Sequence, residues 1–484
     1  MKRTLLLLLV LVAGGAWLIA GADGGLRREH VTAAGTPLDV VHPSGSGRHP
    51  GVVVAHGFSG SAKLMAPFGD TLAARGYVVV LLDFAGHGAE TRPLPDQTAS
   101  TDSSTDALQA GLATAVAHLR SLPDVDPARI ALAGHSMGAG AVTRYAAAHP
   151  DVTATVAISL PSAVVASAER PARLLTVVGG LEFPGFRETA ETVAAQRDDR
   201  AIRVVPGVEH ITVLYAPDTH RATADWLDQA FGSPSPDGAI PFPGRRAAGG
   251  ALLGLAALLG LHPLAARLGG RRTTPSRPAP RLTITAVAAG AAIIGAIAAR
   301  LLPTTTLPLA IGGYVAAYAT VTGALLWGYA ATRTPAHLRH EDRPVVHRAG
   351  RYLLVPAYAA IAIAVPVHLG MTHALPVGDR WWLLPIIWAA FAVLAYATER
   401  VTGGDPVAVL ATAAVFVVVL AGAAVSGLTH GFVILVLFPL IGLLLWQAFW
   451  SFLLHRFAAP VWAIALAGSL VVAWPLAVTL PLVA

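Results

Sequence analysis

Apolar residues follow two rhythms along this chain. Between Leu26 and Phe231 they come in short runs, each broken by polar or charged residues. From about Ala247 to the end they come in long runs, each near the roughly 20 residues that a helix needs to cross a hydrocarbon core. In the first region "PGVVVAHG", "GYVVVLLD", "ARIALAG", "VTATVAISL", "ARLLTVVGG" and "AIRVVPG" are rich in Val, Ile and Leu without alternation. Such runs predict strands buried on both faces, as in a parallel sheet covered by helices. The stretches between them, such as Lys63 to Arg75 and Asp106 to Leu122, have helical spacing and polar faces. Strand and helix alternate, which predicts a doubly wound, mostly parallel α/β domain over residues 26–231. Two earlier runs, "EHVTAAG" and "TPLDVVHP", are placed as an antiparallel edge.

The long runs predict an all-α transmembrane region over 247–484, with eight spans near 247–266, 282–302, 307–331, 352–370, 381–398, 406–427, 431–453 and 460–482. Between the two regions, "GSPSPDGAIPFPGRR" (232–246) has the Pro, Gly and Ser content of a linker. Residues 1–22 start with Lys2 and Arg3, continue apolar, and end in Ala20-Gly21-Ala22. That is the grammar of a signal peptide or an uncleaved N-terminal anchor, and either one exports the α/β region behind it. The loops after the first and third spans carry five arginines each, Arg267 to Arg281 and Arg333 to Arg351, whereas the alternate loops share one. The arginine-rich loops are therefore expected on the cytoplasmic side, and residues 26–231 outside.

Composition sharpens this picture at three points. With 54% hydrophobic and 13% charged residues over 484, the chain is too apolar for an ordinary soluble protein. Its net charge of +6 sits largely in loops between apolar runs, with no basic stripe interleaved by aromatics, so nucleic acid is not an expected partner. The chain has no cysteine, which excludes disulfides, thiolate metal sites and a cysteine nucleophile.

One strand-like run ends in "GHSMG", placing Ser136 between Gly134 and Gly138 just before the helical stretch "MGAGAVTRYAAAHP". A G-x-S-x-G frame on a strand-to-helix turn is the setting of a nucleophilic serine. Such a serine needs a base to take its proton and a carboxylate to orient that base. "GGLEF" puts Glu182 just past the next strand but one, and "GVEH" puts His210 just past the strand after it. Glu209 is the rival acid, but neighbouring side chains in a loop rarely reach each other in the geometry that aligns an imidazole with a distant serine. An oxyanion needs two backbone donors. Met137 after the nucleophile and Phe58 in "AHGF" are the candidates, and Gly57 lets the backbone pass close by. His56 and His135 are read as structural, Asp83 and His87 as turn and packing residues.

The ordered set "AHGF", "GHSMG", "GLE" and "GVEH", together with "LLDFAGHG" (81–88), resembles the α/β-hydrolase family. It is most similar to small lidless branches: dienelactone-hydrolase-like proteins, acyl esterases and serine-aminopeptidase-like members. The resemblance implies Ser136 as nucleophile, His210 as base and a carboxylate after the seventh strand, where Glu182 stands in place of the commoner aspartate. The short connection from Pro161 to Pro171 leaves no room for a cap domain. The function expected is a membrane-bound serine hydrolase acting on a small-molecule or lipid-linked acyl substrate outside the cytoplasm, without metal or cofactor. Acyl transfer, or a transporter or sensor whose outer domain binds ligand without turnover, are the alternatives. The spans carry few ionisable residues. His262, Arg300, His368 and Glu399 fall near their ends, where snorkelling accounts for them, so anchoring is the expected role of this half. Residues 26–231 are expected to fold without the spans.

Overall fold

The computed structural model describes residues 2–98, 101–232, 240–269, 279–333 and 350–484. Residues 233–239 of the expected linker, and most of both arginine-rich loops, lie outside the described residues. The chain divides into two compact units. The α/β unit comprises Gly14–Ala251, His368–His373 and Pro481–Ala484, and the helical unit comprises Met1–Ala13, Leu252–Val367 and Ala374–Leu480.

In the α/β unit the runs read as strands become β1 (Arg27–Ala33), β2 (Thr36–His42), β3 (His49–Ala55), β4 (Val78–Leu82), β5 (Val125–His135), β6 (Ala154–Ile158), β7 (Leu174–Gly179) and β8 (Ala201–Val205). They form one sheet in the order β1-β2-β4-β3-β5-β6-β7-β8. β1 pairs antiparallel with β2 and β2 with β4, as the edge runs predict, and from β4 to β8 every pairing is parallel. This is a sheet of the α/β-hydrolase type.

Ahead of the sheet in sequence runs α1 (Lys2–Ala20), of which only the end belongs to this unit. The sheet itself is covered by α2 (Ala66–Ala74), α3 (Asp102–Ser121), α4 (Met137–Ala148), α5 (Pro184–Ala194) and α6 (Pro217–Phe231). Val52, Val54, Val79, Leu81 and Ile158 pack with Phe68, Leu72 and Leu227 of α2 and α6. Ala157 and Leu174 pack the opposite way, with Ala139 of α4 and Val193 of α5. Alternate residues of one strand thus enter opposite cores, which is why these runs are apolar throughout rather than at every second position. Between β6 and β7 the chain forms only a three-residue 3₁₀ turn, Ala163–Val165.

The helical unit holds α7 (Arg245–Leu268), α8 (Arg281–Leu301), α9 (Gly312–Arg333), α10 (Leu354–Gly370), α11 (Arg380–Thr402), α12 (Pro406–Val425), α13 (Val433–Arg456) and α14 (Val461–Thr479), apart from the ends of α7 and α10 that fall in the α/β unit. Each expected span is a helix. Among the described residues, eight helices are long and apolar enough to cross a membrane: Lys2–Ala20, Arg245–Leu268, Arg281–Leu301, Gly350–Gly370, Arg380–Thr402, Pro406–Val425, Val433–Arg456 and Val461–Thr479. Close helix contact uses small residues, since a Cβ on Gly323 of α9 would lie 2.6 Å from the Leu394 amide nitrogen of α11.

One expectation fails here. Glu399 does not snorkel: it is 2% exposed, and one carboxylate oxygen bonds Ser451 Oγ at 2.9 Å and His455 Nε2 at 2.8 Å, both on α13. It lies near a helix end, but on the face packed against a neighbour, and a carboxylate removed from solvent there needs partners.

Candidate active site

The parallel strands end on one edge of the sheet, and the loops beyond those ends carry the chemistry, as open α/β sheets generally arrange it. β5 runs out at His135, and α4 starts at Met137, so Ser136 alone makes the turn. Its backbone sits at φ 53° and ψ −116°, a region that costs a non-glycine residue of order 1–3 kcal/mol. The turn is held by the Ser136 amide donating to the Ile158 carbonyl at 2.8 Å and by Gly140 N–H donating to the Ser136 carbonyl at 3.1 Å.

The frame needs its glycines for space. A Cβ on Gly134 would lie 2.4 Å from the Gly138 carbonyl oxygen, and one on Gly138 would lie 2.5 Å from that of His56. The Ser136 hydroxyl does not cap α4. It faces His210 instead, at 3.1 Å from Nε2.

His210 Nδ1 lies 3.0 Å from Glu182 Oε2. The other carboxylate oxygen, Oε1, accepts from Ser159 Oγ at 2.7 Å and from the Gly179 amide at 2.8 Å. The Glu182 side chain is fully buried and that of His210 is 11% exposed, so Ser136, His210 and Glu182 form one hydrogen-bonded line with its carboxylate end out of water. Because Glu182 is the anion, the proton between them sits on His210 Nδ1, and Nε2 presents a lone pair to the serine. The extra methylene of glutamate is accommodated by its position: Glu182 stands three residues past Gly179, in a turn closed by its own amide on the Gly179 carbonyl at 3.2 Å.

Glu209 is occupied elsewhere. Its carboxylate accepts from the amides of Ile211 at 2.9 Å and Thr212 at 2.8 Å, and its own amide donates to Thr212 Oγ1 at 3.0 Å. It caps the 3₁₀ turn Thr212–Tyr215.

Met137 opens α4, and first-turn amides lack intrahelical acceptors, so its N–H is available beside Ser136. The loop after β3 passes the same place. A Cβ on Gly57 would come within 3.1 Å of Ser136 Cβ, so the residue before Phe58 lies against the serine.

Two histidines brace this arrangement without facing solvent. His135 Nε2–H donates to the His210 carbonyl at 2.9 Å, fixing the loop that carries His210. His56 Nε2 accepts from the Phe84 amide at 3.1 Å, so its Nδ1–H donates to the Gly57 carbonyl at 2.7 Å. Burial holds His135 well below the ordinary histidine range and lowers His56 to about 4, so both are neutral struts. Asp83 ties two loops together, with Oδ1 accepting from the Ala62 amide at 2.7 Å and Oδ2 from the Ala89 amide at 2.8 Å.

Sequence reasoning missed Ser159, at the end of β6, and Phe186, whose ring centroid lies 4.7 Å from that of His210. The rule that loops after parallel strands converge would have brought Ser159 in. Phe186 had no sequence signal.

Residues 48–212 match the family model described as serine aminopeptidase, S33. Cutinase 1 from Thermobifida cellulosilytica is 28% identical over 120 residues, covering 25% of this chain and 43% of that protein. A cutinase from Thermobifida fusca gives the same identity over 37% of its length. The chain therefore spans less than half the length of these relatives. Among solved structures, dienelactone hydrolase from Anabaena variabilis is 19% identical with a TM-score of 0.34, covering 43% of this chain and 97% of that one. Est1E from Butyrivibrio proteoclasticus with bound ferulic acid is 17% identical with a TM-score of 0.37, covering 42% and 99%.

Proposed function

We propose that this chain is a membrane-bound serine hydrolase that cleaves an ester or amide through an acyl-enzyme on the extracytoplasmic side. The observation that carries the reading is the line from Ser136 Oγ through His210 to Glu182, at 3.1 and 3.0 Å, with the serine on a strained strand-to-helix turn. In this mechanism Ser136 Oγ attacks the acyl carbon while its proton passes to His210 Nε2. The imidazolium is stabilised by the buried Glu182 carboxylate, and the oxyanion accepts from the amides of Met137 and Phe58. Collapse of the intermediate expels the alcohol or amine, which takes the proton from His210. Water then repeats the sequence on the acyl-enzyme and releases the acid.

Four apolar side chains stand exposed in the loops around these groups: Val164 (87%), Leu181 (66%), Phe183 (55%) and Ile211 (45%). Leu181 and Phe183 flank Glu182, and Ile211 comes directly after His210, which suits an acyl group with an apolar body. The family match supports a hydrolase, and the cutinase relatives support ester substrates. The outer location is supported by the arginine distribution. By that count residues 371–373 and 483–484 also fall outside, and both belong to the α/β unit.

The test is turnover of activated acyl esters of increasing chain length by the purified full chain, with Ser136→Ala beside it. Hydrolysis that Ser136→Ala abolishes supports the reading. Undiminished hydrolysis by that variant refutes it.

A further inference from the structure

The α/β unit closes around its site with residues from far along the chain. Ser61 is 1% exposed and lies on the loop that starts at Gly57. Its hydroxyl oxygen accepts from the Leu64 amide at 3.3 Å and from the His373 amide at 3.1 Å, and lies 2.7 Å from Thr372 Oγ1. The Leu64 amide is shared, its shorter bond running to the Ser61 carbonyl at 3.0 Å, so between the Ser61 and Thr372 hydroxyls either one serves as donor.

The loop held in this way is under tension. Ser59 has φ 61°, a left-handed conformation that a serine keeps only when its surroundings enforce it. The enforcing contacts are the Gly60 amide on the Gly57 carbonyl at 2.9 Å, the Ala62 amide on Asp83 at 2.7 Å, and the Ser61 cluster. Phe58, one of the two proposed oxyanion donors, is the residue immediately before the strained one.

The loop after β4 has a similar clasp. The Leu482 amide donates to the Gly86 carbonyl at 2.8 Å, and the Leu94 amide donates to the Leu482 carbonyl at 2.9 Å. Leu482 and Val483 are buried at 2% and 1% exposure. The same Asp83 that receives Ala62 also receives Ala89 of this second loop, so the two clasps are mechanically joined.

We propose that Thr372 is a positioning residue for catalysis. By its hydroxyl bond to Ser61 it keeps the 57–62 loop in its strained form and so keeps the Phe58 amide aimed at the oxyanion. This rests on the serine hydrolase reading above. It assigns the segment between α10 and α11 a part in the reaction. Misplacing one oxyanion donor weakens an interaction made chiefly in the transition state, so the loss falls on kcat and spares KM.

The experiment uses the full chain and a short, soluble activated ester. Thr372→Val keeps the shape and removes the hydroxyl, and should lower kcat roughly tenfold to a hundredfold with KM nearly unchanged. Thr372→Ser restores the hydroxyl and should restore most of kcat. In a Ser61→Ala background the bond is already gone, so Thr372→Val should cost nothing further. Full kcat in Thr372→Val, failure of Thr372→Ser to rescue, or additive losses in the double variant would each overturn the assignment. If those results come with a wild type that still hydrolyses ester, the hydrolase reading survives. A wild type with no turnover and no acylation of Ser136 would overturn both.

Discussion

Replacing Glu182 by glutamine exchanges one oxygen for an NH₂ group, and the site decides which. Oε1 faces two donors, Ser159 Oγ at 2.7 Å and the Gly179 amide at 2.8 Å. The serine hydroxyl can rotate, but the backbone N–H cannot, so the glutamine carbonyl must take that place. The NH₂ group then stands where Oε2 was, 3.0 Å from His210 Nδ1. It donates there, so the ring proton moves to Nε2, the nitrogen 3.1 Å from Ser136 Oγ. A protonated Nε2 cannot accept the serine proton. The same tautomer fault in a serine protease triad costs about 10⁴ in kcat, and at about 1.36 kcal/mol per tenfold this is roughly 5.5 kcal/mol of barrier. The shape is conserved, so accumulation and melting should change little. The assay is kcat for a short activated ester, wild type against Glu182→Gln, with Glu209→Gln as a control. Because the Glu209 carboxylate only caps a 3₁₀ turn, Glu209→Gln should keep nearly full turnover and cost up to about 1 kcal/mol of stability. Glu182→Gln retaining most of its activity, or the reverse ranking of the two, would refute the reasoning.

Two more outcomes are expected from other parts of the chain. Burial holds His56 and His220 near 4 and His135 lower still, while the unfolded chain protonates its histidines near 6.5. Their stabilising contribution is therefore complete above pH 6.5 and is lost as pH falls toward 4. It amounts to about 3 kcal/mol for each histidine held near 4. Thermal unfolding measured from pH 7 to pH 4 should show a falling midpoint across that window, and a flat profile would show that these rings are not neutral in the fold. For the topology, single cysteines placed in this cysteine-free chain at Ser235 and Ser276 should differ. A membrane-impermeant thiol reagent should label Ser235→Cys in intact cells and Ser276→Cys only after permeabilisation. Labelling of both in intact cells would show that the span near 247–266 does not cross the membrane, and labelling of Ser235→Cys only after permeabilisation would contradict the side assigned to residues 26–231.

The sheet was legible because each buried strand announces itself as a continuous apolar run, and the turn after it as glycine. For the same reason Ser136, Glu182 and His210 could be picked out: each comes within a few residues of its strand's end, so local order already implies proximity. Glu209 could be set aside from geometry alone, and its capping bonds to Ile211 and Thr212 show what it does instead. What stayed hidden depends on contacts that no local pattern encodes. Ser61 and Thr372 are 311 residues apart, and nothing in "MTHALPVGDR" marks it as a partner of the loop after β3. Leu482 reads as the end of the expected 460–482 span, yet the structure pairs it with Gly86 and Leu94, and bridges Val483 to Leu94. Glu399 was misjudged because periodicity tells how near a residue is to a helix end, not which neighbour covers it.

The central claim is that the Ser136 hydroxyl is an activated nucleophile. The most direct measurement is reaction of the full chain in membranes with a fluorophosphonate, with the adduct then mapped on its peptides. Attack by Ser136 Oγ on phosphorus expels fluoride and leaves a stable phosphonyl ester, with no assumption about the natural substrate. The account predicts one adduct, on Ser136, that is absent from Ser136→Ala and strongly slowed in Glu182→Gln. An unreacted Ser136 in folded protein, or equal labelling of the alanine variant, would contradict it.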